Sequence, residues 1–351
     1  LAGWYVDPSN TMKMVEVADY SLEDPQIDKA WVTFKSHVTV EGRDFYVDKF
    51  VAFLPRKTKR KGPTRPAVLI TTFDEDRYIL AAPLGSADPT LQRKAIIDQV
   101  DERSLDLAAL TKSFLPAVQT LQNSINERQS IEREFTYSKV LTKKVSIVIP
   151  IYRNIDFIKN QLFSFYSDLF IRENCEIIYV NDDPAYGRDL QMLLEGYKNL
   201  INLNVRLVLL AQNGGYALAN NIAAKVAAGE ILVLMNSDIV PEAPSWLEGM
   251  VARLEDLPSY SAVGPKLLYA DDTLQHAGMY FLRHFSGFWQ NMHYYKGYGR
   301  SFPPADEERI VGAVTGACIV VRKVDFLDVG GFSTDYVIGD YEDSDLCFKL
   351  R

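Results

Sequence analysis

The sequence predicts an α/β fold: a mostly parallel sheet flanked by helices, preceded by a small antiparallel β-domain and a helical linker. Three observations predict it. Between residues 145 and 235, short apolar strand-like runs alternate with helix-length segments, the pattern of parallel strands joined by crossovers. Residues 1–88 instead carry short alternating runs separated by turn signals, as antiparallel hairpins do. Between these regions, apolar residues recur at spacings of three and four, which is one face of a helix.

Taken in order, the runs Val38-Thr39-Val40, Phe45-Tyr46-Val47, Val51-Ala52-Phe53-Leu54 and Val68-Leu69-Ile70 make up the β-domain, 1–88, with turns at Glu41-Gly42 and Gly62-Pro63. The segment 55–66 gathers Arg56, Lys57, Lys59, Arg60, Lys61 and Arg65. It reads either as a contact for phosphate, anionic lipid or acidic glycan, or as a solvated loop held open by self-repulsion. The helical linker, 89–143, is drawn by Leu107, Leu110, Phe114, Val118, Leu121 and Ile125, with a kink expected at Pro116. The third region, 144–351, opens with the strand 145–151. Strands at 176–180, 205–211 and 231–235 follow, with helices over 155–165, 188–200 and 216–228 between them. In such a sheet, ligands bind beyond the carboxyl ends of the strands. The loops after residues 151, 180, 211 and 235 are therefore expected to gather around one site.

Composition narrows the function. Of 351 residues, 38 are basic and 46 acidic, a net charge of −8, which argues against bulk nucleic-acid binding. No apolar run approaches the ~18 residues of a membrane-spanning helix, and no signal peptide is visible. Cys175, Cys318 and Cys347 are odd in number and far apart, so they read as reduced core residues of a cytoplasmic protein. The chain starts at Leu1 and stops at Arg351 inside an apolar-periodic stretch, so it reads as part of a longer one.

The loops carry the chemistry. Asn181-Asp182-Asp183-Pro184 follows the second strand; its carboxylates can accept from a ligand or simply set a turn. Gln212-Asn213-Gly214-Gly215-Tyr216 follows the third; paired glycines opening a helix permit close backbone approach and favour phosphate, or make a tight turn. Asn236-Ser237-Asp238 follows the fourth; Asp238 can hold a hard divalent cation, or cap a helix starting near Pro244. Last, Tyr341-Glu342-Asp343-Ser344-Asp345 opens a helix. One of its acids can take a proton from a hydroxyl, or the group can serve the helix dipole, which is expected to lower their pKa.

Together, VSIVIPIYRN (145–154), EIIYVNDDP (176–184), QNGGYALANNIA (212–223), ILVLMNSDIVP (231–241), LQHAG (274–278), VTGACIVVRK (314–323) and VGGFSTDY with YEDSDLCFKLR (329–351) resemble the family 2 glycosyltransferases of the GT-A fold. They come in the family's order and look most like its rhamnosyltransferase-like branch. The resemblance implies an inverting transfer of a sugar from a nucleoside diphosphate sugar donor to a glycan or lipid-linked glycan acceptor, in bacterial surface polysaccharide synthesis. It implies Mn2+ or Mg2+ as cofactor and a place that is either cytoplasmic or peripheral at the inner face of the membrane; with the acidic balance, no nucleic acid is expected as partner. Asp343, with Glu342 beside it, matches the general base of the family's ED motif. Asp238 matches the last acid of the DxD motif and would bind the metal. Pro150, Tyr152, Asp182, Gly215, Asn220, Asn236, Ser237 and Gly316 would bind the nucleotide sugar, Asp182 reading the base. His276 would line the pocket.

Two departures stand out. Asn181 sits where many members have the first acid of the nucleotide loop, and Asn236 replaces the first Asp of DxD, leaving one carboxylate for the metal. The family domain also normally continues past the ED motif with elements that shape the acceptor site. These departures motivate the alternative of a non-catalytic nucleotide- or carbohydrate-binding protein that retains the GT-A fold. A nucleotidyltransferase needs a glycine-rich basic loop after the first strand, and Pro150-Ile151-Tyr152-Arg153-Asn154 has no glycine.

Overall fold

A computed structural model describes residues 144–351 apart from 257–260, 286, 288 and 338, residues 86–99 and 110–137, and, before these, the backbone of seven strands with the turn 73–76. The chain divides into two compact units, Leu1–Glu127 and Arg128–Arg351.

In the first unit, β1 (Ala2–Tyr5), β4 (Trp31–Val40) and β5 (Arg43–Ala52) pair in the order β1-β5-β4. A second sheet orders β3 (Gln26–Asp28), β2 (Met12–Tyr20), β6 (Arg65–Thr72) and β7 (Arg77–Ala81) as β3-β2-β6-β7. All these pairs are antiparallel. The runs expected at 38–40, 45–47 and 68–70 lie in β4, β5 and β6, whereas most of the basic segment 55–66 lies outside the described residues. Helix α1 (Pro89–Gln99) follows. A π-helical turn, Leu110–Phe114, then leads into α2 (Leu115–Arg128). Pro116 thus falls in the first turn of α2, where its missing N–H has no intrahelical partner to lose. The expected kink is a change of winding just ahead of it.

The second unit is built on a seven-stranded sheet. Four parallel strands form its centre in the order β12 (Ile231–Met235), β9 (Val145–Ile151), β10 (Cys175–Asn181) and β11 (Val205–Leu210). Antiparallel strands extend both sides: β18 (Cys318–Arg322) and β13 (Ala262–Val263) beyond β12, and β8 (Ile131–Thr136) beyond β11. Strand β8 corrects one expectation. Residues 131–136 fall within the segment expected as helical linker, yet they pair with β11, with Phe135 set against Leu207. Ile131 and Phe135 supply the apolar contacts, and a short, charged strand suits a sheet edge.

Both faces of the sheet are covered, which explains why the central strands are apolar along most of their length, with the polar Ser146, Glu176, Asn181 and Arg206 confined to their ends. Ile147, Ile149 and Ile151 point to one face, against Ile158, Leu162 and Phe165 of α3 (Ile158–Ser167) and Leu190 and Leu194 of α5 (Gly187–Tyr197). Leu247, Val251 and Leu254 of α7 (Trp246–Asp256) complete that layer. Val148, Val180 and Leu234 point to the other, against Ala219, Ala223 and Ala224 of α6 (Tyr216–Val226). Small side chains on α6 let the helix lie close to the strands. Between α3 and β10 runs the short helix α4 (Leu169–Asn174). After β13 come the strand pairs β14 (Leu267–Leu268) with β15 (Leu274–His276), and β16 (Met279–Arg283) with β17 (Trp289–His293). Helices α8 (Lys323–Asp328) and α9 (Glu342–Lys349) follow β18. Cys175 and Cys318 are buried, Cys347 is half-buried, and all three are free thiols. Among the described residues no helix is long and apolar enough to cross a membrane.

Candidate active site

The loops at the carboxyl ends of the parallel strands converge, as their topology requires. The β10 loop grips the β11 loop through Asp182. This buried carboxylate accepts hydrogen bonds from the backbone N–H of Gly214 (2.7 Å) and Gly215 (2.8 Å) and from Asn213 Nδ2 (2.9 Å). The Asp182 N–H in turn donates to Ile151 O, at 2.9 Å, at the end of β9. Gly215 caps α6 at φ +91°, a conformation that disfavours any residue with a Cβ. Asn181 is fully buried and donates its Nδ2 to Asp183 O at 2.7 Å. A carboxylate in its place would have no donor to offer, which accounts for one of the two departures. Beside this turn, Tyr152 is exposed and carries the Arg153 guanidinium over its ring, while Arg153 reaches Asp183 at 3.5 Å. Pro150 pairs with Val180 at the end of β9.

A second cluster lies where β12 and β18 meet α9. A cavity of about 410 Å³ opens there, lined by Asn236, Tyr216, Gly316, Glu342, Asp343 and groups from β17. Asn236 N donates to Ala317 O at 2.9 Å. Asp343 Oδ2 accepts from Gly316 N at 2.8 Å, and its Oδ1 from Ser344 N at 2.6 Å. A Cβ on Gly316 would stand 3.3 Å from the Asp343 Cβ and 3.2 Å from the Tyr216 hydroxyl, so glycine lets the carboxylate dock on the backbone. Tyr216 joins the two clusters. It begins α6 directly after the Asp182-held turn, and its hydroxyl donates to Gly316 O at 2.6 Å. Asn220, fully buried one turn later, donates to Tyr216 O at 3.0 Å.

The acids of α9 behave differently from the sequence expectation. A helix N-terminus was expected to lower their pKa. Burial instead pushes Asp343 up, against the opposing bonds from Gly316 and Ser344 and the nearby His293. Glu342 is raised first by burial, with the Asp343 charge adding to it. Desolvation outweighs the dipole because the first turn of α9 is packed into the cavity wall rather than facing water. The result is a better proton acceptor than an ordinary aspartate.

Asp238 is exposed, outside the lining of the cavity, and Ser237 is half-buried beside it. It does not cap the next helix: Ser245 N donates to the buried Asp168 Oδ2 at 2.7 Å, and Asp168 also caps α4. Among the described residues no three His, Cys, Asp or Glu side chains form a cage for a metal. One carboxylate with a neighbouring amide fits a hard cation that keeps its waters and shares a ligand's phosphates.

Several residues escaped the sequence reading. Gln161, fully buried on α3, donates Nε2 to the carbonyls of Ser237 (3.1 Å) and Ile239 (2.9 Å), pinning the Asp238 loop. Its only signal is a glutamine on the apolar face between Ile158 and Phe165. Asn291, His293 and Lys296 line the cavity from β17 and the turn after it, a stretch without a readable motif. A larger cavity, about 550 Å³, lies between α7 and residues 305–314, with none of the strand-end loop residues named above in its lining.

A family model described as Glycosyl transferase family 2 matches residues 146–323. The chain is 30% identical over 221 residues to the uncharacterized protein y4gI of Sinorhizobium fredii (strain NBRC 101917 / NGR234), covering 60% of this chain and 23% of that protein. It is 29% identical over 202 residues to the O-antigen biosynthesis protein RfbC of Myxococcus xanthus, covering 56% of this chain and 15% of that one. Among solved structures it is similar to mannosyltransferase PcManGT from Pyrobaculum calidifontis in complex with GDP-Man and Mn2+, with 18% identity and a TM-score of 0.43, over 75% of this chain and 63% of that chain. The chain thus spans less than a quarter of the length of these curated relatives.

Proposed function

Because this chain belongs to glycosyl transferase family 2, we propose that it transfers a sugar from a nucleoside diphosphate sugar to a hydroxyl of a glycan or lipid-linked glycan, with inversion, in the synthesis of a bacterial surface polysaccharide. Its second unit has the GT-A fold, a central sheet of parallel strands with helices on both faces. The observation that supports the reading is the docking of Asp343 on Gly316 N within a cavity that Asn236 also lines. A carboxylate raised by burial thereby shares a cavity with the loop that would carry the diphosphate.

In this reading Asp343 takes the proton of the acceptor hydroxyl as its oxygen bonds to the anomeric carbon. The bond from that carbon to the diphosphate breaks on the opposite side, which inverts the configuration. Gly316 N holds the carboxylate in place, and Glu342 lines the cavity beside it. Asp182 shapes the Gly214-Gly215 turn against which the nucleotide would lie. Asp238, with the amide oxygen of Asn236, would hold Mn2+ or Mg2+, which neutralises the departing diphosphate when bound. The O-antigen relative supports the polysaccharide setting.

The test is a screen of UDP-, dTDP- and GDP-sugars with Mn2+ and a glycan acceptor, read by proton NMR of the anomeric centre. A product of inverted configuration is expected; a retained configuration overturns the mechanism. The second reading, a binding protein without turnover, is favoured by Asn236, which leaves one carboxylate for the cation. Calorimetry showing nucleoside diphosphate binding, with no donor consumed, would select it.

A further inference from the structure

The cavity that holds Asp343 is backed by two histidines in direct contact. His276, on β15 and 1% exposed, lies with its Nδ1 2.8 Å from Nδ1 of His293, at the end of β17. The rings meet edge to face, with centroids 5.0 Å apart. Two nitrogens at that distance share one proton, so one donates and the other accepts. The backbone decides which. Thr315 N–H donates to His276 Nε2 at 3.4 Å, so that nitrogen carries no proton and the His276 hydrogen sits on Nδ1. His293 Nδ1 must then accept, and its own hydrogen sits on Nε2. His293 lines the cavity, and among the described residues its Nε2 has no hydrogen-bond partner.

We propose that the His276–His293 pair is a fixed-tautomer relay that presents the His293 Nε2–H to the Asp343 cavity, as a neutral donor to a hydroxyl oxygen of the bound sugar. The inference rests on the glycosyl-transfer reading of that cavity and adds a positioning pair to it. Neutrality is what makes the arrangement useful. An imidazolium beside Asp343 would pair with the carboxylate and weaken it as a base. Burial, followed by the neighbouring ring, pushes His276 down to about 3. Burial and the Lys296 charge push His293 down as well, against the pull of Asp343.

The first test is nitrogen NMR of the intact, histidine-labelled chain at neutral pH, which needs no turnover. His276 is expected as the Nδ1–H tautomer and His293 as the Nε2–H tautomer. Finding His293 as Nδ1–H, or as an imidazolium, overturns the relay. The second test compares His293→Gln, whose amide nitrogen reaches toward the Nε2 position, with His293→Asn, whose amide reaches only toward Nδ1. With a nucleotide sugar found by the screen, His293→Asn should lower kcat/KM about tenfold, the scale of one hydrogen bond, and His293→Gln about threefold or less. Equal losses overturn the hydroxyl contact. A loss confined to KM, with UDP or GDP binding unchanged, puts the hydroxyl on the donor sugar. A loss confined to transfer, with donor hydrolysis unchanged, puts it on the acceptor. If no sugar is turned over while the tautomers are as expected, the failure falls on the glycosyl-transfer reading and the hydroxyl contact, and not on the relay.

Discussion

The two ends of the parallel strands both withdraw carboxylates from water, Glu176 fully and Asp343 and Glu342 in part, and treat them in opposite ways. At the amino end, Glu176 is 2% exposed. It accepts from Ser146 Oγ at 2.6 Å, from Ala228 N at 2.6 Å and from Arg206 at 3.0 Å. Arg206 is shared with Glu134 on β8, so positive charge meets negative and the backbone fills the remaining sites. At the carboxyl end, Asp343 and Glu342 are held by N–H donors, pair with no cation among the described residues, and carry raised pKa values. The difference teaches where to look for chemistry. A buried acid with its cation beside it is a structural element, whereas a cavity-lining acid whose pKa is raised and that has no cation paired to it still awaits a proton or a ligand.

That contrast can be broken by exchange of function. Asp343→Asn should lower kcat by about 10²–10⁴-fold, the range of a lost general base, with nucleoside diphosphate affinity by calorimetry unchanged; undiminished turnover would place the base elsewhere. Glu176→Ala should leave turnover of the folded enzyme intact but cost about 3–5 kcal/mol in urea unfolding, because Arg206 loses a buried partner. A large kcat effect there would erase the distinction between the ends. Gln161→Leu sharpens it at the active end: loss of the donors to Ser237 and Ile239 should cost about 1–3 kcal/mol in stability and raise the donor KM more than it lowers kcat.

The pH dependence gives the smallest and most specific effects. The acid limb of kcat should fall away as pH drops through a value above the ordinary aspartate range of about 3.9. The sign for stability is the reverse of the usual case. A carboxyl with a raised folded pKa stabilises the fold most below its unfolded pKa, and that contribution declines as pH rises through the folded pKa. Asp343→Asn removes this titration together with one backbone acceptor, so the urea midpoint of the parent should fall relative to that of the variant as pH rises from about 4 to about 7; a constant difference across that range would contradict the burial argument.

Much of the architecture was legible because its signals are local. The strands Val145–Ile151 and Ile231–Met235 were readable to the residue, since a strand buried on both faces is a mostly apolar run bounded by polar residues. The Asp182, Gly215 and Asp343 loops were legible through their place after strands or before a helix. What escaped depends on distant partners. Gln161 meets its carbonyls across 76 and 78 residues of sequence, and His293 gains meaning only against His276. The acids of α9 were misjudged for the same reason: the helix dipole is local and readable, while desolvation depends on how the whole wall packs. Strand β8 hid because Ile131-Glu132-Arg133-Glu134-Phe135-Thr136 has two apolar anchors and three charges.

That strand has a consequence beyond pairing. A sheet invites recruitment of foreign strands wherever its outermost backbone groups are bare. Here one margin is a two-residue strand, β13, too short to template another chain. The opposite margin is β8, where Glu132, Arg133 and Glu134 are exposed. A chain shortened to start at residue 144 would uncover β11, with its buried Leu207, Val208 and Leu210, and turn a guarded border into an adhesive one. Starting at residue 128 keeps the guard, and the two versions should differ in light scattering on concentration before they differ in anything chemical.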